Sequence, residues 1–389
     1  MMLAHKIALR TNNKQKTYFA KATGIARFAY NWALSTWKEQ YQEYKEGKRI
    51  KSPSQGDLRK ILNSIKGKEF PWMGEVTKCA PEAAIKNLGT SFTRFFQKKA
   101  RYPKYKKKGI HDSFYIDNTQ FSLNDRRDRI RIAKLGWVRM REALRFEGKI
   151  MSATVSRQAD RWFVSITVEV KDLSHLRKAE NQGSVGVDLG VSSLATLSTG
   201  EKVEGPKPLE MALRKLRRLS RALSRKKQGS QNRIKARKKL AKLHARISNI
   251  RKDSLHKLSS DLTRRFERIT IEDLDVKAMM QNKWLSRRIG DMGFYEFKRQ
   301  LRYKADMRGN EIREADRYYA SSQLCSQCGR RRKISLRERT FTCSCGYKMD
   351  RDVNAAINLK NYAVSSTVKA FGVESSGLVA VSSETIHEE

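Results

Sequence analysis

The sequence predicts a multidomain protein, α+β in its first half and α/β in its second. Three observations carry this. Helical periodicity fills most of residues 12–100, and alternating apolar and polar residues then recur in short runs over 112–172. A second group of strands is apolar throughout, as expected of a sheet covered on both faces. Four of the five cysteines cluster between 325 and 345 at metal-ligand spacing.

The 389 residues carry a formal net charge of +43. That length supports two or three domains with real cores. A charge so large repels itself unless a polyanion neutralises it, and nucleic acid is the expected polyanion. No apolar run approaches the roughly 20 residues of a membrane span, and Met1–Arg10 lacks the pattern of a secretory leader. A membrane partner is therefore not expected. The lone Cys79 and the clustered remainder suit metal binding in a reducing cytoplasm better than a disulfide framework.

In chain order, residues 3–10 read as a strand. Residues 14–46 read as a helix with Phe19, Ile25, Ala29, Trp32, Ala33 and Trp37 as its apolar positions. Ser52-Pro53 breaks the pattern, and two more helices follow over about 55–65 and 80–100, the latter striped by Ala84, Leu88, Phe92 and Phe96. Tyr102-Pro103-Lys104-Tyr105-Lys106-Lys107-Lys108 mixes aromatics with cations, which offers both stacking and charge to a phosphate chain. Ser113–Ile116, Arg129–Ile132, Trp137–Met140, Ser152–Ser156 and Trp162–Val170 alternate like strands of a small β-barrel or sheet that holds the preceding helices.

Asn181–Ser184 reads as a linker to the second domain. Val185–Asp188 is a buried strand ending in an acid; Ser193–Thr199 is the next strand. From Met211 to Lys252 there is no acidic residue, and a Leu/Ile spine broken near Gln228-Gly229-Ser230 predicts a basic αα-hairpin. Arg214, Arg217, Arg218, Arg221, Arg225, Lys235 and Lys238 are its candidate phosphate contacts. Arg268–Glu272 is another strand ending in an acid. A helix over 292–308, a strand over Asn310–Ala315 and a closing helix over Asp352–Tyr362 complete the domain, followed by a Ser/Val/Gly-rich tail from 365.

Cys325-x-x-Cys328-Gly329 is a knuckle whose glycine permits the left-handed turn that aims amides at sulfur. Cys343-x-Cys345-Gly346 is one residue shorter than a usual second knuckle. Together they predict one structural Zn²⁺. Arg330 and Arg331, between the knuckles, would offset the charge of four thiolates or reach phosphates. Two-metal phosphoryl chemistry needs carboxylates converging on Mg²⁺ ions (Mn²⁺ can substitute) roughly 3.5–4 Å apart. An RNase H-like fold supplies them from its first strand, the end of its fourth and the start of a late helix. Asp188, Glu272 and Asp352 can occupy those three places. Asp350 competes with Asp352, but Asp352-x-Asn354-Ala355-Ala356 opens the helix, which leaves Asp350 as a cap or a supporting group.

Several of these segments together resemble the TnpB/OrfB proteins of bacterial insertion sequences: Gly186-Val187-Asp188-Leu189-Gly190, Ile271-Glu272-Asp273-Leu274, Tyr303-Lys304-Ala305, Ser321-Ser322-Gln323-x-Cys325-Ser326-x-Cys328-Gly329 and Asp350-Arg351-Asp352-Val353-Asn354-Ala355-Ala356. Tyr102-Pro103-x-Tyr105-Lys106, Leu135-Gly136-Trp137 and Trp162-Phe163-Val164-Ser165 extend the likeness through the first half. The resemblance implies a transposon-encoded, RNA-guided double-stranded DNA endonuclease related to the type V CRISPR effectors. It implies a wedge-like β-barrel with a helical recognition insertion (1–182, insertion about 12–100), then a RuvC domain (183–364) with the basic hairpin at 211–260 and a zinc ribbon at about 320–347. Its implied partners are a transposon-derived guide RNA (ωRNA) and target DNA beside a short flanking motif, with one protein per RNA in the bacterial cytoplasm and nucleoid. The three acids would act as Mg²⁺ ligands, leaving a 5′-phosphate and a 3′-hydroxyl. By placement, the helix beginning near Lys78 and the segment Asn118-Thr119-Gln120 are candidate readers of the flanking motif, while Lys104, Lys106 and Lys107 are expected phosphate contacts.

Overall fold

The computed structural model describes residues 1–173, 180, 182–335 and 338–370, with side chains to 362. The predicted tail from 365 thus lies mostly outside the described residues. The chain separates into two compact units, Met1–Asp172 and Leu173–Glu389.

In the first unit, β1 (Met2–Arg10) leads into α1 (Asn13–Lys45). Asn12 and Gln15 start that helix by a reciprocal capping box, Asn12 Oδ1 accepting from Gln15 N–H at 2.9 Å and Gln15 Oε1 accepting from Asn12 N–H at 3.0 Å. Next come α2 (Gln55–Glu69) and α3 (Cys79–Phe96). The apolar stripe of α1 is buried at Phe19, Ile25, Ala29 and Ala33, and Trp37 stacks on Phe92 of α3 with ring centroids 4.3 Å apart. The helix expected over about 80–100 ends at Phe96, and that last member of its stripe is exposed at the helix terminus.

The strands β2 (Ser113–Asp117), β3 (Phe121–Leu123), β4 (Arg129–Ile132), β5 (Gly136–Met140), β6 (Lys149–Gln158) and β7 (Arg161–Glu169) form a seven-stranded sheet with β1. Its order is β2-β6-β7-β1-β5-β4-β3. β1 pairs antiparallel with β7 over Met2–Ala8 and passes to β5 at Leu9 and Arg10, so one long strand joins two ladders. The expected barrel is not closed: among the described residues the edge strands β2 and β3 do not pair with each other. Alternation along each strand marks the core face but carries no information about shear, which decides closure.

The second unit is centred on β8 (Ser184–Asp188), β9 (Ala195–Leu197), β10 (Lys202–Val203), β11 (Arg268–Glu272) and β12 (Glu311–Ala315) in the order β10-β9-β8-β11-β12. β9 runs antiparallel to both β8 and β10; β11 runs parallel to both β8 and β12. Numbered within the sheet, this is order 3-2-1-4-5. Val185, Val187, Ile269 and Ile271 are fully buried, as apolar strands covered on both faces must be.

Helices α4 (Pro208–Ser224) and α5 (Gln231–Arg265) pack as the predicted hairpin. α6 (Val276–Met279), α7 (Ser286–Met292) and α8 (Phe294–Arg308) follow β11. The helix expected over 292–308 is α8, which starts at Phe294 because Gly293, with φ of +75°, ends α7 and separates the two. A two-stranded ribbon, β13 (Thr340–Thr342) and β14 (Lys348–Asp350), precedes α9 (Arg351–Ala370). Among the described residues no helix is long and apolar enough to cross a membrane.

Candidate metal centres and nucleic-acid interface

Parallel pairing puts the first two acids side by side. Ile271 faces Val187, so Glu272 and Asp188 leave adjacent strands at the same carboxyl edge of the sheet. The third is brought there by a close backbone approach. Gly186 lies under α9 so tightly that a Cβ would stand 1.9 Å from the Ala356 carbonyl oxygen and 2.5 Å from the Lys360 amide nitrogen. Asp188 is two residues beyond Gly186 on one strand face, and Asp352 is one turn before Ala356 on one helix face. The missing side chain at 186 therefore lets Asp352 come down beside Asp188.

The electrostatics record that convergence. Burial, then Glu272 and Asp352, push the Asp188 carboxyl well above the usual carboxylate range, with Arg351 as the opposing charge. Burial also raises Glu272, opposed by a short hydrogen bond from Ser321 Oγ to its Oε1 at 2.6 Å. Asp352 lies 3.3 Å from the Arg351 guanidinium. Asp350 points elsewhere: its Oδ1 accepts from the N–H groups of Asp352 (3.1 Å) and Val353 (3.2 Å), capping α9, and Lys202 pairs with it at 2.7 Å. Burial alone would raise Asp350, yet Lys202 and those amides hold it below its ordinary value. Asp188, raised by burial and by the two carboxylates beside it, forms with Glu272 and Asp352 a hard-oxygen donor set whose repulsion a divalent cation would relieve.

The cysteines make a tighter set. The ligand atoms of Cys325, Cys328, Cys343 and Cys345 all lie within 4.8 Å of one another, and among the described residues no other group of three or more potential ligands does so. Cys325 Sγ is 3.8 Å from Cys345 Sγ, and Cys328 Sγ is 3.5 Å from Cys343 Sγ. Zn–S bonds of about 2.3 Å in a tetrahedron put the sulfurs roughly 3.8 Å apart, so the quartet could hold such a metal. The short second knuckle does not spoil it. Gly329 and Gly346 have φ of +71° and +86°, and Gly346 N–H reaches Cys343 O at 3.1 Å.

Two asparagines fasten this ribbon to the acid site: Asn354, which the sequence showed only as part of a motif, and Asn358, which it did not mark. Asn354 Nδ2 donates to Leu324 O at 2.7 Å and its Oδ1 accepts from Ser326 N–H at 3.0 Å. Asn358 Nδ2 donates to Ser321 O at 2.8 Å and to Leu324 O at 2.7 Å. Both are buried. The signal was an Asn at i and i+4 on the helix that also carries Asp352. Ser321, present in the family-like segment but given no role there, couples the first knuckle directly to Glu272.

The predicted cationic contacts divide. Arg214, Arg217, Arg218, Arg221, Arg225, Lys235 and Lys238 are exposed along α4 and α5. Arg330 and Arg331 instead donate inside the ribbon, to Ser344 Oγ at 3.1 Å and Gln323 Oε1 at 3.0 Å. In the first unit a cavity of about 660 Å³ gathers Lys78, Lys106 and Thr119, together with Arg59 and Lys86. Lys104, Lys107 and Asn118 are not in its wall. Lys106 is exposed as a residue, yet its Nζ sits 4.0 Å over the Tyr30 ring, and desolvation lowers its pKa.

The second unit has an acid-edged α/β sheet tied to a four-thiolate ribbon, inside a strongly basic chain. Similarity to known proteins narrows that class. Residues 164–283 match the insertion-sequence OrfB family described as "Probable transposase", 294–359 match a "Cas12f1-like, TNB domain", and 1–46 match a family described as "Helix-turn-helix domain". In this chain that last segment is a strand and one continuous helix. The chain is 36% identical over 363 residues to a Streptomyces pristinaespiralis protein provisionally named as an RNA-guided DNA endonuclease, covering 92% of this chain and 88% of the relative. It is 33% identical over 374 residues to the similarly named InsQ of Escherichia coli K12, covering 92% and 91%. A solved Cas12f1–sgRNA–target DNA complex shares the fold at a TM-score of 0.54 and 14% identity, covering 89% of this chain and 83% of that one. The chain belongs to the TnpB/OrfB family of insertion sequences.

Proposed function

We propose that the protein is an RNA-guided endonuclease that cuts double-stranded DNA beside a short flanking motif, hydrolysing phosphodiesters at Asp188, Glu272 and Asp352. The observation that carries this is the convergence of three acids at one sheet edge of a +43 chain, where Asp188 is raised by both other carboxylates. The 3-2-1-4-5 sheet order supports an RNase H-like, RuvC-type reading, and the relatives' names support RNA-guided DNA cutting. Guide pairing would supply sequence while the protein reads duplex shape. The exposed cations of α4 and α5 hold RNA and heteroduplex by counterion release. The cavity with Lys78, Lys106 and Thr119 is the candidate reader of the flanking motif.

The three carboxylates fit Mg²⁺ or Mn²⁺, which when bound would supply positive charge to a scissile phosphate and its attacking water. The chain's own groups do the positioning. Ser321 donates its hydroxyl proton to Glu272 Oε1, fixing that carboxylate's rotation and leaving Oε2 free. Asp350 and Lys202 hold the first turn of α9, and with it Asp352. The four thiolates suit one structural Zn²⁺ that keeps the ribbon folded against α9.

The test is purification with copurified RNA, followed by cutting assays on target plasmid. Asp188→Ala is expected to slow cutting by about a thousandfold, on the order of 4 kcal/mol of lost charge stabilisation, with RNA and target binding intact. A wild-type complex that binds target but never cuts in Mg²⁺ would reduce the protein to a guided DNA-binding regulator.

A further inference from the structure

Two large aromatics stand exposed on segments that follow the strands β11 and β12. Tyr318 is 89% exposed and Trp284 is 92% exposed. Among the described residues neither ring stacks on another ring or lies under a cation. Both belong to segments that leave the carboxyl ends of parallel strands, β12 for Tyr318 and β11 for Trp284. That is the edge that carries Asp188 and Glu272, and in open α/β sheets it is where ligands bind.

The loop that carries Tyr318 is not loose. Before it, Arg317 pairs with Asp273 at 2.7 Å, directly after Glu272. After it, the Tyr319 hydroxyl donates to Asn358 O at 3.2 Å, and Ser321 Oγ donates to Glu272 itself. Asp316 Oδ1 accepts the Tyr318 N–H at 2.8 Å, closing the turn. A phenol ring is thus held out to solvent on a backbone pinned at both ends to the neighbourhood of one carboxylate. Exposing so much apolar ring on a rigid mount costs hydration free energy and gains nothing for the fold. Trp284 stands on a similar mount, with Asn282 Oδ1 accepting from its N–H at 3.0 Å. Lys277, Lys283, Arg287 and Arg288 flank it, and none of them pairs with a carboxylate among the described residues. No acid lies between Val276 and Gly290. An exposed ring offers a stacking face to an unpaired nucleotide strand, and at Trp284 the unpaired cations beside it would meet the phosphates. A protein partner would call for more aliphatic surface, and duplex DNA keeps its bases inside.

We propose that Tyr318, with Trp284 as the outer platform, is a base-stacking site for the single-stranded DNA being delivered to the acids. This rests on the nuclease reading above. A stacked base next to the scissile phosphate would fix that phosphate's position over the carboxylates, which a bare electrostatic groove cannot do.

The experiment uses the RNA-loaded full chain carrying Asp188→Ala and a single-stranded oligonucleotide substituted with 5-iodouracil, irradiated and mapped by peptide mass. Crosslinks are expected at Tyr318 and, more weakly, at Trp284. In parallel, with Asp188 restored, Tyr318→Ala is expected to cut about tenfold more slowly, while Tyr318→Phe, which keeps the ring, stays within about twofold. RNA content and melting temperature should not change. Crosslinks that avoid both residues, or equal loss in the Phe and Ala variants, would overturn the proposal. The crosslink needs no cutting, so it reads the stacking site even if the nuclease reading fails.

Discussion

Two regions of the second unit handle charge in opposite ways. At the carboxyl edge of the sheet a few acids are desolvated and forced together, and each is placed by a named backbone contact: the Glu272–Asp188 register, the bare Gly186, the Asp350 cap. Along α4 and α5 many cations stand in water, spread over two helices with no acid between Met211 and Lys252. The first arrangement costs stability and gives geometry. The second costs little, because exposed like charges are screened by salt, and gives attraction without a fixed pose. The hairpin still has one exact anchor at its base. Buried Asp291 accepts from the Leu209 and Glu210 N–H groups at the start of α4 (2.9 and 3.2 Å) and pairs with Arg251 of α5 at 2.9 Å. Chemistry on a phosphorus atom needs placement to fractions of an ångström, whereas holding a polyanion needs charge density. Substitutions should therefore be felt sharply in one region and gradually in the other.

The largest effect on the fold is expected where the acid edge leans on the ribbon. Cys328→Ser, or removal of zinc by a strong chelator, should lower the melting temperature by roughly 10 °C and disable cutting, although no carboxylate is touched. Metal analysis should return one zinc per wild-type chain; a value well below that, with the melting temperature unmoved, would detach the ribbon from the acid site. Gly186→Ala comes next. The added methyl would meet the Ala356 carbonyl and the Lys360 amide, both backbone, so α9 must shift. A loss of about 3 kcal/mol is expected, and cutting should fall more than stability explains because Asp352 rides on that helix. A Gly186→Ala protein as active as wild type would show that Asp352 does not depend on this contact.

The same contrast explains what the sequence could tell. Strand-end acids and paired cysteines were legible because their chemistry restricts residue type and spacing: Asp188 and Glu272 close apolar runs, and Cys-x-x-Cys-Gly has few other uses. The acid-free hairpin was legible because it is a statement about composition. Sheet closure was not, since alternation in β2–β7 says which face is buried and nothing about whether β2 meets β3. The short α7 before Gly293 was hidden because seven residues are too few to show a helical period. The roles of Ser321, Asn354 and Asn358 were the more consequential omissions. A Ser or Asn is ordinary in any position, and only the fold reveals that Ser321 reaches Glu272 across 49 residues. The resemblance to the family located the acids, while the hydrogen bonds that hold them had to come from coordinates.

The smallest effect, and the one that best sharpens the contrast, concerns the hairpin. Arg217, Arg218 and Arg221 are exposed on α4 and form no ion pair among the described residues, so replacing all three with Ala should leave the melting temperature within about 2 °C. Guide-RNA affinity should fall, and the slope of log K against log salt should shrink by roughly 2–3 if each arginine neutralises one phosphate. Restoring any one should recover about a third of that slope, whichever is chosen, because screened charges act nearly independently. Cutting by the saturated complex should be unchanged, since none of the three orients an acid. A loss concentrated in one arginine, or a fall in cutting at saturating RNA, would mean that this helix also fixes a pose, and the division between placed and pooled charge would have to be redrawn through α4.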